Sequence, residues 1–202
     1  MESNTFLPIT EIFQSIQGEG FYAGRLATFV RLSGCNLRCP FCDTDYRERY
    51  RLSLREIVDT VKAITPPGGL VVLTGGEPTI HSLWKELARL LVTAGFYVSL
   101  ETNGTNMVLL SDVQWITVSP KYIQRLKVFT ASEVKVLWIK ADMSSEEEFL
   151  LACKEKVRAQ FYYVQPVEKN GEFLQIGEIY DFIRRNPEWK ISVQLHKVLH
   201  LL

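Results

Sequence analysis

The sequence has no excess of charge, since Lys+Arg and Asp+Glu balance at 23 each. That excludes an overall field drawing nucleic acid or an acidic membrane surface, though it leaves room for a local basic patch. There is no uninterrupted apolar run near the roughly 18 to 20 residues needed to span a bilayer. Met1-Glu2-Ser3-Asn4 lacks the basic-then-apolar pattern of a secretory leader. Repeats and low-complexity segments are missing too. These absences point to a cytoplasmic protein, with reduced thiols and few disulfides, that binds neither nucleic acid nor membrane.

What is present is ordinary in bulk: 202 residues, 47% apolar and 23% charged. Such a chain suits one domain, 1–202, with a full core. Ile9 to Ile16 shows loose alternation, and Ala27 to Leu32 reads as a strand. Ser53-Leu54-Arg55-Glu56 is a capping-box signature, followed by Leu54, Ile57, Val58, Val61 and Ile64 at helical spacing. Strands are expected over Leu70 to Leu73, Phe96 to Leu100, Trp115 to Val118, Glu133 to Ile139, Phe161 to Val164 and Ile191 to Leu195. Helices are expected from about Ser82 to Ala94, from a second capping box at Ser144 and Glu147 to about Val157, and around Ile176 to Ile183. Strand then helix, repeated, with polar or glycine-rich turns after the strands, predicts an α/β fold with parallel strands. Eight complete βα units need about 250 residues, so the expected form is a shortened, partial (β/α) barrel of TIM-like type.

The chemistry is concentrated in Cys35-Asn36-Leu37-Arg38-Cys39-Pro40-Phe41-Cys42-Asp43-Thr44. Cys153 falls with Phe149, Leu150 and Val157 on an apolar helix face and reads as core. Cys35, Cys39 and Cys42, by contrast, lie among turn residues, which favours ligation. A structural zinc site wants four ligands, and there is no second cysteine pair; His81, His196 or His200 would have to complete it from far along the chain. An iron–sulfur cluster suits closely spaced thiolates better, and three ligands would leave one iron open.

The C-x3-C-x-Φ-C spacing, with Phe41 as the aromatic, resembles the signature of the radical S-adenosylmethionine (SAM) superfamily. The resemblance implies a partial (β/α) barrel of the radical SAM type. It also implies a [4Fe-4S] cluster held by Cys35, Cys39 and Cys42, with SAM on the open iron and a 5′-deoxyadenosyl radical formed by one-electron cleavage. Phe41, Cys42 and Asp43 would then help seat SAM. Thr74-Gly75-Gly76-Glu77-Pro78 is similar to the superfamily's GGEP motif, where Gly76 and Glu77 would hold the methionyl amino group. Glu101 and Asn103, then Ser119, Pro120 and Lys121, end the next two expected strands, and Gln165 ends a later one. By resemblance these also contact SAM.

Gln17-Gly18-Glu19-Gly20, Arg31-Leu32-Ser33-Gly34-Cys35-Asn36-Leu37, Cys42-Asp43-Thr44 and the tail Gln194, His196, Lys197 narrow the likeness. They are similar to the 7-carboxy-7-deazaguanine synthase family, over nearly the whole chain. That family implies a lyase of the queuosine and deazapurine pathway. Its members convert 6-carboxy-5,6,7,8-tetrahydropterin to 7-carboxy-7-deazaguanine with loss of ammonia, need Mg2+, and form homodimers; an electron donor such as flavodoxin or ferredoxin is implied. Residue by residue, Thr44 would be the Mg2+ ligand. Ile16, Gln17, Gly18, Glu19, Thr74 and Gly75 would touch the pterin, Arg31 would face its carboxylate, and His196 and Leu202 would close the pocket. A guanidinium matches a carboxylate in two bonds, so Arg31 is chemically apt. His200 stands where similar sequences often have glycine. The competing readings are a glycyl-radical-enzyme activase of the same superfamily and a non-catalytic zinc-binding module.

Overall fold

The computed structural model describes residues 6–139 and 142–201. Leu202 lies outside them. The chain divides into two compact units. The first takes residues up to Ser15, Leu26–Thr102 and Val108–Ile116; the second takes Ile16–Arg25, Asn103–Met107 and the described residues from Thr117 onward.

In the first unit, strands β1 (Phe6–Ile16), β2 (Leu26–Leu32), β3 (Tyr50–Ser53), β4 (Leu70–Gly75) and β5 (Tyr97–Thr102) lie side by side in the order β3-β1-β2-β4-β5. β3 runs antiparallel to β1, whereas β2, β4 and β5 are parallel. Leu70, Val71, Val72 and Leu73 are all buried, as expected for a parallel strand covered on both faces. Helix α1 (Leu54–Ile64) buries Leu54, Ile57, Val58 and Val61. The Ser53 hydroxyl accepts from the Glu56 N–H while the Glu56 carboxylate accepts from the Ser53 N–H, so the capping box forms in both directions. Helix α2 (Trp84–Thr93) starts two residues later than its spacing suggests. A one-turn 3-10 segment, Pro78–Ile80, occupies the preceding chain, and Leu83 makes no side-chain cap.

In the second unit, β6 (Trp115–Val118, of which the last two residues belong here), β7 (Thr130–Trp138), β8 (Arg158–Pro166) and β11 (Trp189–Ile191) form a parallel ladder in the order β6-β7-β8-β11. Between them come α3 (Met143–Lys156), the hairpin of β9 (Glu168–Lys169) and β10 (Glu172–Phe173), and α4 (Ile176–Arg185). The hairpin turns on Asn170-Gly171, both at positive φ, the geometry that a two-residue turn needs. Trp138, Phe182 and Trp189 form the aromatic core, with Phe182 edge-on to both rings at 5.9 and 5.6 Å. Among the described residues neither ladder closes on itself, and each has the parallel α/β form that the sequence predicts.

Two expectations fail in this unit. Ser144 and Glu147 form no capping box: Asp142 precedes α3 without a side-chain cap, and Glu147 instead receives Arg185 of α4. The apolar run Ile191 to Leu195 does not continue as a strand. β11 ends at Ile191, and Leu195 opens a short helix, α5 (Leu195–Val198). Among the described residues no helix is long and apolar enough to cross a membrane.

Candidate active site

The cysteine loop leaves β2 through Ser33 and Gly34, and three contacts fix that exit. His81 Nε2 meets the Ser33 carbonyl at 2.7 Å, the Gly34 N–H donates to Tyr46 O, and the Gly34 carbonyl accepts from the Glu77 N–H, the last two at 2.9 Å. Gly34 has φ +83°, which its lack of a Cβ permits. A Cβ on Gly76 would run into the Gly34 carbonyl and the Cys35 Cβ. The Gly-Gly turn after β4 therefore lies directly against the first cysteine.

Cys35 and Cys39 are half-buried and Cys42 is exposed. The Cys42 N–H donates to Cys39 O at 3.1 Å, and the Leu37 N–H points at Cys35 Sγ at 3.4 Å. Burial pushes the Cys35 thiol up, and the charges of Glu77, Cys39 and Cys42 push it further, against the opposing Leu37 N–H. The three sulfurs thus lie near enough for their charges to be felt. Among the described residues, however, no three His, Cys, Asp or Glu side chains are gathered as ligands of one ion. Three thiolates carried on one short loop are a donor set that suits an iron–sulfur cluster.

Around this loop, Glu77 is fully buried. Its Oε1 accepts from the Thr79 N–H at 3.1 Å, the Thr79 hydroxyl at 2.5 Å and the Thr102 hydroxyl at 2.8 Å. Thr74 donates to Glu101 at 2.9 Å. Arg31 pairs with Glu11 at 2.7 Å and lies over the Phe13 ring. Phe41 and Thr44 are half-buried and Asp43 is exposed.

The second unit gathers another polar group around the Gln17-Gly18-Glu19-Gly20 turn. The Gln17 N–H donates to Arg25 O and the Gly24 N–H to Gln17 O, each at 2.8 Å, closing the loop at its base. Glu19 forms an ion pair with Lys135 of β7. Its Oε1 also accepts from Gln165 Nε2 at 3.1 Å and Gln194 Nε2 at 2.8 Å. Burial alone would raise the Glu19 carboxyl, but the Lys135 ammonium, the bond from Gln194 and the His196 charge outweigh it and hold the carboxyl well below its ordinary value. His196 Nδ1 stands where a Cβ on Gly18 would be, so Gly18 is required by close approach. Ser119 accepts from Lys121 at 2.7 Å, and Asn103 turns on itself, receiving the Thr105 N–H and hydroxyl.

The first unit therefore unites Cys35, Gly76 and Glu77, and pairs Thr74 with Glu101. The second unites Gly18, Glu19, Gln165 and His196, so that Gln165, a SAM candidate by resemblance, bonds to Glu19. Pro120 is buried beside Ser119. Leu202 is outside the described residues. Lys135, Glu133, Ser192, Thr79 and Glu11 are not among the residues the sequence singles out, and His81 enters there only as a distant zinc ligand. Glu133 and Lys135 did leave a signal, two charges two residues apart on one face of an otherwise apolar strand.

Residues 29–176 match the model of the radical SAM superfamily. The 7-carboxy-7-deazaguanine synthase of Bacteroides thetaiotaomicron is 38% identical over 96% of this chain and 97% of its own. The chain belongs to the 7-carboxy-7-deazaguanine synthase family of radical SAM enzymes. The synthase of Haemophilus influenzae is 34% identical, covering 95% of this chain and 92% of its own. The crystal structure of QueE from Escherichia coli superposes with a TM-score of 0.72 at 28% identity, covering 95% of both chains. For a member of this family the cofactors are a [4Fe-4S] cluster and SAM, and the fold is the partial α/β barrel of the radical SAM type. The activase and the zinc-binding module both give way to this assignment.

Proposed function

We infer that this chain is a radical SAM lyase that converts 6-carboxy-5,6,7,8-tetrahydropterin to 7-carboxy-7-deazaguanine with loss of ammonia, a step of queuosine biosynthesis. The observation that carries the reading is the match to the Bacteroides thetaiotaomicron synthase over nearly the full length of both chains. The SAM-bound cluster, when present, supplies the one-electron chemistry that starts the ring rearrangement.

The chain's own residues bind, orient and exclude water. Cys35, Cys39 and Cys42 would hold the cluster, with Gly76 giving the turn after β4 room to lie on the loop. Glu77, held by Thr79 and Thr102, fixes that turn, and Gly76 and Glu77 together would receive the amino group of SAM. Phe41, Asp43, Glu101, Asn103, Ser119, Pro120 and Lys121 would complete the SAM contacts. Ile16, Gln17, Gly18, Glu19, Thr74, Gly75, His196 and Leu202 would surround the pterin, and Arg31 would exchange or share Glu11 with the substrate carboxylate. Gln165, whose Nε2 donates to Glu19, would add a further SAM contact.

Mg2+ belongs to the proposal as well. Thr44 supplies one neutral oxygen, and a hard ion that keeps several waters could take the rest of its shell from solvent and substrate. The same reading makes 1–202 one functional domain, cytoplasmic and homodimeric, reduced by a flavodoxin or ferredoxin.

The test is anaerobic reconstitution with iron and sulfide, followed by SAM, Mg2+, a reductant and the carboxypterin, with products read by mass spectrometry. The deazaguanine is expected without any protein partner. SAM cleavage that leaves the pterin intact would overturn the substrate assignment, and zinc in place of iron would overturn the cluster.

A further inference from the structure

β7 places two buried charges on the same face, Glu133 and Lys135, with 3% and 7% exposure. Both reach the Gln17–Phe21 turn. Glu133 Oε2 accepts the Phe21 N–H at 2.8 Å, and its carboxylate lies where a Cβ on Gly20 would fall. Glu133 is itself held by the Thr117 hydroxyl on Oε1 at 2.8 Å. Lys135 pairs with the Glu19 carboxylate. The turn is secured from its other side by Ser192, whose hydroxyl accepts the Gly20 N–H at 3.0 Å and donates to Gln165 Oε1 at 3.2 Å.

We propose that Glu133 and Lys135 act as paired positioning residues, locking the Gln17–Phe21 turn in one register and keeping Glu19 ionised as a fixed acceptor for the N–H groups of the pterin. This rests on the carboxypterin reading above. The physical argument is one of opposed costs. A buried carboxylate without a cation takes up a proton or swings to solvent. Gln165, Gln194 and Lys135 each spend a donor on Glu19, and together they leave it one orientation. Of the groups facing it, β7 brings Lys135, with Glu133 two residues away, β8 brings the neutral Gln165, and the C-terminal segment brings neutral Gln194 and titratable His196. Lys135 is therefore the cation paired directly with Glu19. Because β7 sets both anchors, a one-residue slip of this strand would turn both side chains to the opposite face.

The test uses reconstituted holoenzyme carrying K135M, K135Q, K135R or E133L. K135M is expected to raise KM for the carboxypterin about tenfold with kcat within about twofold, the split that marks lost binding that is equal in ground and transition states. Its KM should also gain an acid limb absent from the parent, because Glu19 then protonates in mildly acidic buffer. K135R should recover most of the loss, whereas K135Q, which keeps a donor but no charge, should retain the acid limb. Should K135M fail to fold, K135Q carries the same test. Amide exchange over Gln17–Phe21, read without substrate, should quicken about tenfold in E133L and K135M. Unchanged exchange, an unchanged KM, or equal damage in K135M and K135R would each overturn the proposal. A parent enzyme that cleaves SAM yet ignores the carboxypterin would refute the functional reading instead, and the exchange data would still decide the clamp.

Discussion

At the scale of single residues, two cysteines with the same chemistry have opposite surroundings. Cys153 is fully buried in α3, and burial, with the Glu146 charge, pushes its thiol up to about 12. Cys39 lies half-exposed in a turn. Cys39→Ala should therefore abolish cluster assembly and SAM cleavage. Cys153→Ala should keep full iron content and activity, with a stability loss of about 1 kcal/mol from the removed sulfur. Iron analysis with chemical denaturation checks both. Glu19 provides the pH test. Its folded carboxyl titrates below its ordinary value of 4.5, so its contribution is present above that value and fades as pH falls through the depressed one. The stability gap between the parent and Glu19→Gln, measured on cluster-free protein, should thus narrow as pH drops from about 4.5. A constant gap would refute the assignment. The cysteines could be read from sequence because they cluster within eight positions of a turn-rich loop. Lys135 could not, because its partner lies 116 residues away, and no local pattern encodes that distance.

At the scale of elements, the two capping-box signatures had different fates. Ser53 and Glu56 satisfy each other at the start of α1. Ser53→Ala should cost about 1 kcal/mol in denaturant unfolding, since it strips the Glu56 N–H of its acceptor. Ser144 and Glu147 carry the same letters, but α3 begins at Met143 and Arg185 claims the Glu147 carboxylate with 2.9 Å geometry. A tertiary partner beat a local one. The strand expected at Ile191 to Leu195 failed for a similar reason. Ser192 and Gln194 are drawn to the turn near Glu19, and the Leu195 N–H donates to Gly18 O at 2.9 Å, which bends the chain out of the ladder. Parallel strands and amphipathic helices were readable because their periodicity is local. The polar contacts that end them were not.

At the scale of the whole molecule, each compact unit carries a distinct part of the candidate machinery. The first holds the cysteine loop and the Gly-Gly-Glu turn, and the second holds the Glu19 cluster and the segment that bears His196. Removing the chain after Val193 should leave cluster binding intact while raising KM for the carboxypterin at least tenfold, since it takes away Gln194, His196 and the Leu195 N–H together. Loss of iron in that truncation would contradict the division. The superfamily was legible from one loop of ten residues, and the narrower family from short motifs spread over the chain. The contacts within each unit were not, because they join strands far apart in the chain.

The Gln17–Phe21 turn also carries a clock. It is made early in synthesis, yet the Phe21 amide waits for Glu133, 112 residues later, and the Gly20 amide for Ser192, 172 residues later. Long-range pairings of this kind form late, since the loop entropy must be met first. A nascent chain still lacking its last residues would therefore have a finished cysteine loop but no settled Gln17–Phe21 turn. In pulsed hydrogen exchange during refolding, the Gly20 amide should gain protection after the amides of β4, and simultaneous protection would show that the turn assembles on its own.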